Sequence, residues 1–303
     1  MQPIKKLDQL IKSLEGKSPK KIAVTFAQDP NTIGAISKAV DLGFAQAIMI
    51  GDKEIIIKEC KKLDIDYQKF EIIDEKNDVK AAALSVEMVR NGDADVLMKG
   101  LIGTDKFLKA VLNKEKGLLP PKAVMSYVCA LDIPKYDKLL FITDTAVIPF
   151  PDLKQKIAMT KYAVNMAHKF GVENPKVALV SCTEKVNPAI QNTVNDAIIC
   201  KMNQRGQIKN CVIDGPLDIF LACDKEAVKI KGVQTPINGE ADVLVFPTLE
   251  ACNTFYKGLM LFGGGELAGL IQGTIKPVVV MSRSESEKSK LYCIALSCLM
   301  AED

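Results

Sequence analysis

Several places along the 303-residue chain gather the residue types that handle negatively charged ligands, each directly after a run of apolar, strand-forming residues. Lys99-Gly100-Leu-Ile-Gly103-Thr104 follows one run and opens a helix. Its glycines let backbone N–H groups approach an anion, the helix N-terminus favours negative charge, and Lys99 adds a cation. It lacks the Gly-Lys-Ser/Thr of a nucleotide-triphosphate loop, and an ordinary turn with Thr104 as helix cap would read the same way. Ser282-Arg283 ends another run; a guanidinium offers a planar fork matched to phosphate oxygens, and pairing with Glu285 or Glu287 is the purely structural alternative. Thr143-Asp144-Thr145, Ser181-Cys-Thr183-Glu184-Lys185 and Asp214-Gly215-Pro216 close three further runs. Asp214 and Asp218 have a spacing that suits a divalent cation, but Pro216 between them favours a helix start, leaving a strand-end acid and a first-turn acid. The glycines from Gly263 to Gly269 follow a helix rather than a strand, so they read as a helix stop and turn instead of a dinucleotide loop.

The elements that would position these residues alternate from end to end. Strands are expected at 21–27, 47–50, 70–73, 95–98, 123–128, 138–143, 176–180, 211–214, 242–246 and 277–281. Helices are expected at 31–42 (capped by Asn31 or Thr32 and stopped by Gly43), 78–90, 104–112, 153–170, 189–203, 250–261 and 285–300. Strands separated by helices of this length form βαβ units around a largely parallel sheet. The strands are continuous apolar runs, as burial on both faces requires. An eight-fold barrel has a similar count of units, but the antiparallel-looking pair at 124–128 and 138–143 fits it poorly. In an open sheet of this kind, ligands bind at the carboxyl ends of the strands.

Composition narrows the function classes. Lys and Arg number 40 against 37 Asp and Glu, so no basic field points to nucleic acid. No run approaches the length of a membrane span, and the Lys-rich first twenty residues lack the apolar core of a secretory leader. The nine cysteines include no Cys-x-x-Cys pair and sit mostly in apolar runs, which reads as buried thiols in a reducing, cytoplasmic setting. His168 is the single histidine, so a site needing two is excluded, and His168 itself reads as a helix-surface residue. At this length two domains are the better expectation.

Taken in order, the strand ends resemble the phosphate acetyl/butyryl transferases, most closely the short butyryl branch. The resembling stretches are Asp95-Val-Leu-Met-Lys-Gly-Leu-Ile-Gly-Thr104, Leu140-Phe-Ile-Thr-Asp-Thr-Ala146, Pro175-Lys-Val-Ala-Leu-Val-Ser181, Glu184-Lys-Val-Asn-Pro188, Val212-Ile-Asp-Gly-Pro216, Asp242-Val-Leu-Val-Phe-Pro247, Asn253-Thr-Phe-Tyr-Lys257 and Lys276-Pro-Val-Val-Val-Met-Ser-Arg-Ser284. They span nearly the whole chain. The resemblance implies the reaction acyl-CoA + phosphate ⇌ acyl phosphate + CoA, with acyl-CoA, inorganic phosphate and acyl phosphate as the molecules bound. It implies an α/β fold of two βα-repeat domains with a cleft between them, like that of isopropylmalate dehydrogenases. Residues 1–132 plus 270–303 would form the first domain and 133–269 the second. It further implies a homodimer or larger homo-oligomer, no metal, and no cofactor beyond CoA as substrate.

Carried over by position, the resemblance makes Ser282 and Arg283 catalytic. The chemistry of the implied reaction, which needs cations, N–H donors and orienting polar groups, adds Asp144 as a third catalytic candidate and Lys99, Gly100, Thr104, Ser126, Asn187, Asn253 and Lys257 as substrate-binding candidates. Three positions depart from the family pattern. The acetyl branch has an acid seven residues after the serine, where this chain has Ser289. The butyryl branch often has a histidine where this chain has Tyr127, and relatives often have one in place of Gly103. These departures keep open a non-catalytic CoA- or acyl-phosphate-binding regulator. A metal- and NAD-dependent decarboxylating dehydrogenase on the related fold is the other rival, though three arginines (Arg90, Arg205, Arg283) are few for its substrates.

Overall fold

Apolar β-favouring runs flanked by capped helices build the protein, seen here in a computed structural model that describes residues 3–281 and 286–301. The chain opens with α1 (Leu7–Lys12) and β1 (Lys20–Thr25). Then come α2 (Pro30–Asp41), β2 (Ala45–Gly51), α3 (Lys53–Lys62), β3 (Glu71–Asp74), α4 (Asp78–Asn91), β4 (Val96–Lys99) and α5 (Thr104–Val111). The middle of the chain gives β5 (Ser126–Asp132), β6 (Leu140–Thr143), α6 (Leu153–Lys169), β7 (Lys176–Val180), α7 (Gln191–Gln204) and β8 (Val212–Leu217). It continues through α8 (Ile219–Cys223), α9 (Lys225–Lys231), β9 (Val243–Val245) and α10 (Leu249–Gly263). Finally β10 (Glu266–Gln272), β11 (Val278–Val279) and α11 (Glu287–Met300) follow.

Two compact units result. One holds Asp8–Met125 and the stretch from Leu267 onward. Its strands run β3-β2-β1-β4-β11-β10, all parallel except β10 against β11. Ile22, Val24, Leu97, Met98, Val278 and Val279 are fully buried, which is why these strands read as unbroken apolar runs. The chain moves from β1 outward to β2 and β3, then returns to place β4 on the other side of β1, so the strand order reverses between β1 and β4. Helices α2 and α11 pack together, and the ammonium of Lys38 meets Glu287 at 2.6 Å.

The other unit holds Ser126–Glu266 with the N-terminal residues through Leu7. Its strands run β5-β6-β9-β7-β8. β5 and β6 pair antiparallel, and the other neighbours are parallel. A buried ion pair joins α6 to α7: the Lys156 ammonium lies against Asp196 and donates to Asn192 Oδ1 at 2.5 Å, with both charged side chains at 1% exposure or less. Burial pushes the Lys156 pKa down and the Asp196 pKa up, and the mutual attraction opposes both shifts.

The expected α/β rhythm and the antiparallel pair are present, with local differences. The first long helix is capped by Asp29, not by Asn31 or Thr32, because Pro30 fits the first helical position. Gly264 takes the left-handed conformation (φ 63°) that stops α10, as the glycine run suggested, but β10 starts two residues later instead of a turn. Pro216 lies inside β8, and Asp218 caps α8 and pairs with Lys231. All nine cysteines are free thiols; most are buried, and Cys182 is exposed. His168 is on the surface, its Nε2 2.8 Å from the Asn210 carbonyl oxygen.

Candidate active site

The reversal of strand order between β1 and β4 splays the following loops apart and opens a crevice at the strands' carboxyl ends. There Gly100 N donates to Thr25 O at 2.9 Å and Leu101 N to Phe26 O at 2.8 Å. A β-carbon at position 100 would come within 2.5 Å of Phe26 O and 2.7 Å of Thr25 O, so only glycine permits this approach. The consequence corrects part of the expected anion cradle: these two N–H groups are already bonded. Thr104 is the first residue of α5, and Gly103 occupies the cap position without a capping side chain. The first-turn N–H groups of α5 are therefore left to water or an anion.

The Lys99 ammonium donates to Gly100 O at 3.2 Å and lines a pocket of about 30 Å³ with Asp29, Thr32, Gly100, Leu101, Met281 and Lys290. Ser282, Arg283, Ser284 and Glu285 lie outside the described residues. Ser289, where relatives of the acetyl branch carry an acid, is 2% exposed and accepts a hydrogen bond from Leu267 N at 3.1 Å. Lys290 was missed by the reading of the sequence. It stands in the run Glu287-Lys288-Ser289-Lys290, which looks like a solvated helix face, yet it is 4% exposed.

The other unit gathers three of the expected residues around the loop after β6. Antiparallel pairing sets the start of β5 beside the end of β6, so Ser126 Oγ lies 3.2 Å from Thr143 Oγ1. Asp144 is 1% exposed, and its carboxylate accepts from Ala146 N (2.8 Å), Val147 N (2.9 Å), Tyr127 N (3.2 Å) and Ile148 N (3.3 Å). Burial raises its pKa, and the N–H donors and the Ser126 hydroxyl pull it back down. Asn253, on the first turns of α10, donates to Thr145 O at 2.9 Å. Ser126, Asp144 and Asn253 thus shape one loop from three elements. Asn187 is exposed, its Oδ1 accepting from Ala189 N at 2.9 Å, and Lys257 is exposed on α10; neither is bonded to the Asp144 loop among the described residues.

Asp144→Asn tests that role. The amide keeps the shape but replaces one acceptor oxygen with a donor, leaving buried N–H groups unpaired at a cost of about 1–3 kcal/mol. Urea unfolding should show a loss in that range. An unchanged midpoint would mean the loop does not depend on the carboxylate.

Comparison with known proteins shows what the chain is similar to. The family model described as phosphate acetyl/butyryl transferase matches residues 78–298. The phosphate butyryltransferase of Clostridium acetobutylicum is 42% identical over 298 residues, covering 98% of this chain and 99% of that protein. The phosphate acetyltransferase of Thermotoga maritima is 39% identical over 295 residues, covering 97% and 99%. Among solved structures, a branched-chain phosphotransacylase from Enterococcus faecalis superposes with a TM-score of 0.82 at 28% identity, covering 93% of this chain and 99% of that one.

Proposed function

Because the chain belongs to the phosphate acetyl/butyryl transferase family and is a phosphate acyltransferase, we propose that it moves a butyryl-sized acyl group between CoA and inorganic phosphate. The observation that carries this reading is near-full-length identity of 42–43% to two phosphate butyryltransferases.

The chemistry sets what the residues must do. A phosphate oxygen attacks the thioester carbonyl, the C–O bond forms, and the C–S bond then breaks to release the CoA thiolate. Both directions pass through a negatively charged tetrahedral species. Catalysis therefore needs cations and N–H donors aimed at developing charge, and two substrates held in position. Arg283 and Lys99 supply the cations in this reading, and Ser282 assists the thiolate. The uncapped first turn of α5, at Thr104, supplies N–H donors. The Asp144 loop, held by Ser126 and Asn253, presents its surface to substrate without the carboxylate taking a proton. Asn187 and Lys257 are exposed polar groups available to the CoA moiety.

The reaction in this reading needs no metal and no cofactor besides CoA. Among the described residues no helix is long and apolar enough to cross a membrane, and we place the enzyme in the cytoplasm. We assign it a homodimeric or larger assembly. Leu261 and Phe262 at the end of α10 are 76% and 86% exposed, and apolar groups so placed favour burial against another subunit.

The test is phosphate-dependent release of free thiol from acetyl-, propionyl-, butyryl- and isobutyryl-CoA. The rate should peak at the butyryl chain and fall about 10–200-fold per methylene removed or added, the usual range for an apolar pocket. Activity highest with acetyl-CoA would shift the reading to the acetyl branch. Binding of CoA without release from any ester would overturn the enzymatic reading.

A further inference from the structure

We propose that Lys290 and Lys99 form a seat for the oxygens of a substrate phosphate group, at the reversal point between β1 and β4. The proposal rests on the acyl–phosphate reading above and assigns one of its binding residues. Lys290 projects from the first turn of α11, is 4% exposed, and lines the pocket that Lys99 also lines. Among the described residues no hydrogen bond or ion pair reaches its ammonium. Its stem is buried while its ammonium tip still meets water, so the cation is held in place at the pocket, where an anion can replace that water.

The pocket is small, about 30 Å³, and takes oxygens at one edge of a phosphate group more readily than a whole acyl chain or a nucleobase. Gly100 contributes no side chain. Among the described residues Asp29 is the one acid on the wall, and its Oδ2 accepts from Thr32 N at 2.8 Å and Thr32 Oγ1 at 2.7 Å, capping α2. A monoprotonated phosphate carries an O–H that can donate to Asp29 Oδ1, which the cap does not use.

The phosphate group has two sources, inorganic phosphate and the phosphates of CoA. Lys290→Met and Lys290→Arg should be compared with the unaltered enzyme for kcat, for KM of phosphate, and for KM of acyl-CoA and its 3′-dephospho form. Phosphate binding should also be measured directly by titration calorimetry. Loss of a charge-assisted hydrogen bond predicts a rise of about tenfold or more in the KM of one substrate, in part restored by arginine. A rise confined to phosphate assigns the seat to inorganic phosphate. A rise confined to acyl-CoA, absent with the dephospho form, assigns it to CoA. Unchanged KM values in a Lys290→Met enzyme that still folds would overturn the proposal. If the unaltered enzyme binds phosphate but turns over no ester, the functional reading fails while the seat stands or falls on the calorimetry alone.

Discussion

Replacing Arg283 with alanine is expected to lower phosphate-dependent thiol release by about 10²–10³-fold, the usual effect of removing one donor aimed at a developing oxyanion. The other two arginines are committed elsewhere. Arg90, on α4, donates to Gly117 O at 2.6 Å, and Arg205 caps the end of α7 on the surface. Arg283 is thus the one guanidinium that follows a strand. Arg283→Lys should recover only part of the loss, since an ammonium keeps the charge but not the two-pronged fork. Separate measurement of kcat and KM locates the effect: a fall in kcat marks a group acting on the transition state, a rise in KM alone marks one that only binds. Activity within a few-fold of the unaltered enzyme would remove Arg283 from the mechanism.

The largest expected effect on stability lies in the other unit. Lys156→Met should destabilise the protein by about 3–5 kcal/mol, because it leaves the Asp196 carboxylate buried without its cation. Asn192 cannot compensate: its Nδ2 already donates to Asp196 Oδ2 at 3.1 Å and to Val180 O at 3.3 Å. The double variant Lys156→Met/Asp196→Leu should recover much of that loss, since apolar side chains of similar volume can fill the site without desolvating a charge. Urea unfolding of the single and double variants measures both. A single variant as stable as the parent would show that the pair contributes nothing.

The architecture was legible where periodicity carries it. Continuous apolar runs mark strands buried on both faces, and Ile22-Ala-Val24 and Lys176–Val180 fell where expected. α3 was not identified because Lys53–Lys62 is dominated by charge, with Ile56 and Cys60 its only buried residues. β10 was hidden by the glycines before it, since Gly264 does stop a helix and the apolar run Leu267–Ile271 starts immediately afterwards. At the site, Lys99 and Gly100 were readable because they end a strand. What Gly100 does with its N–H was not, because the partner carbonyls at Thr25 and Phe26 lie more than seventy residues earlier in the chain. Lys290 was unreadable for a related reason. Its burial comes from the packing of α11 on α2, two helices from opposite ends of the sequence.

That long-range closure has a consequence during synthesis. β4 takes β11 as its neighbour on one side, yet about 180 residues are translated between Lys99 and Val279. At about 5–20 residues per second, the ribosome leaves that apolar edge uncovered for roughly 10–40 s. The unit formed largely by Ser126–Glu266 emerges within this interval and can close its own sheet first. The earlier-made strands then wait, with an open edge, for the tail of the same polypeptide. A nascent chain stalled before β11 should therefore bind holdase chaperones far more strongly than the finished protein.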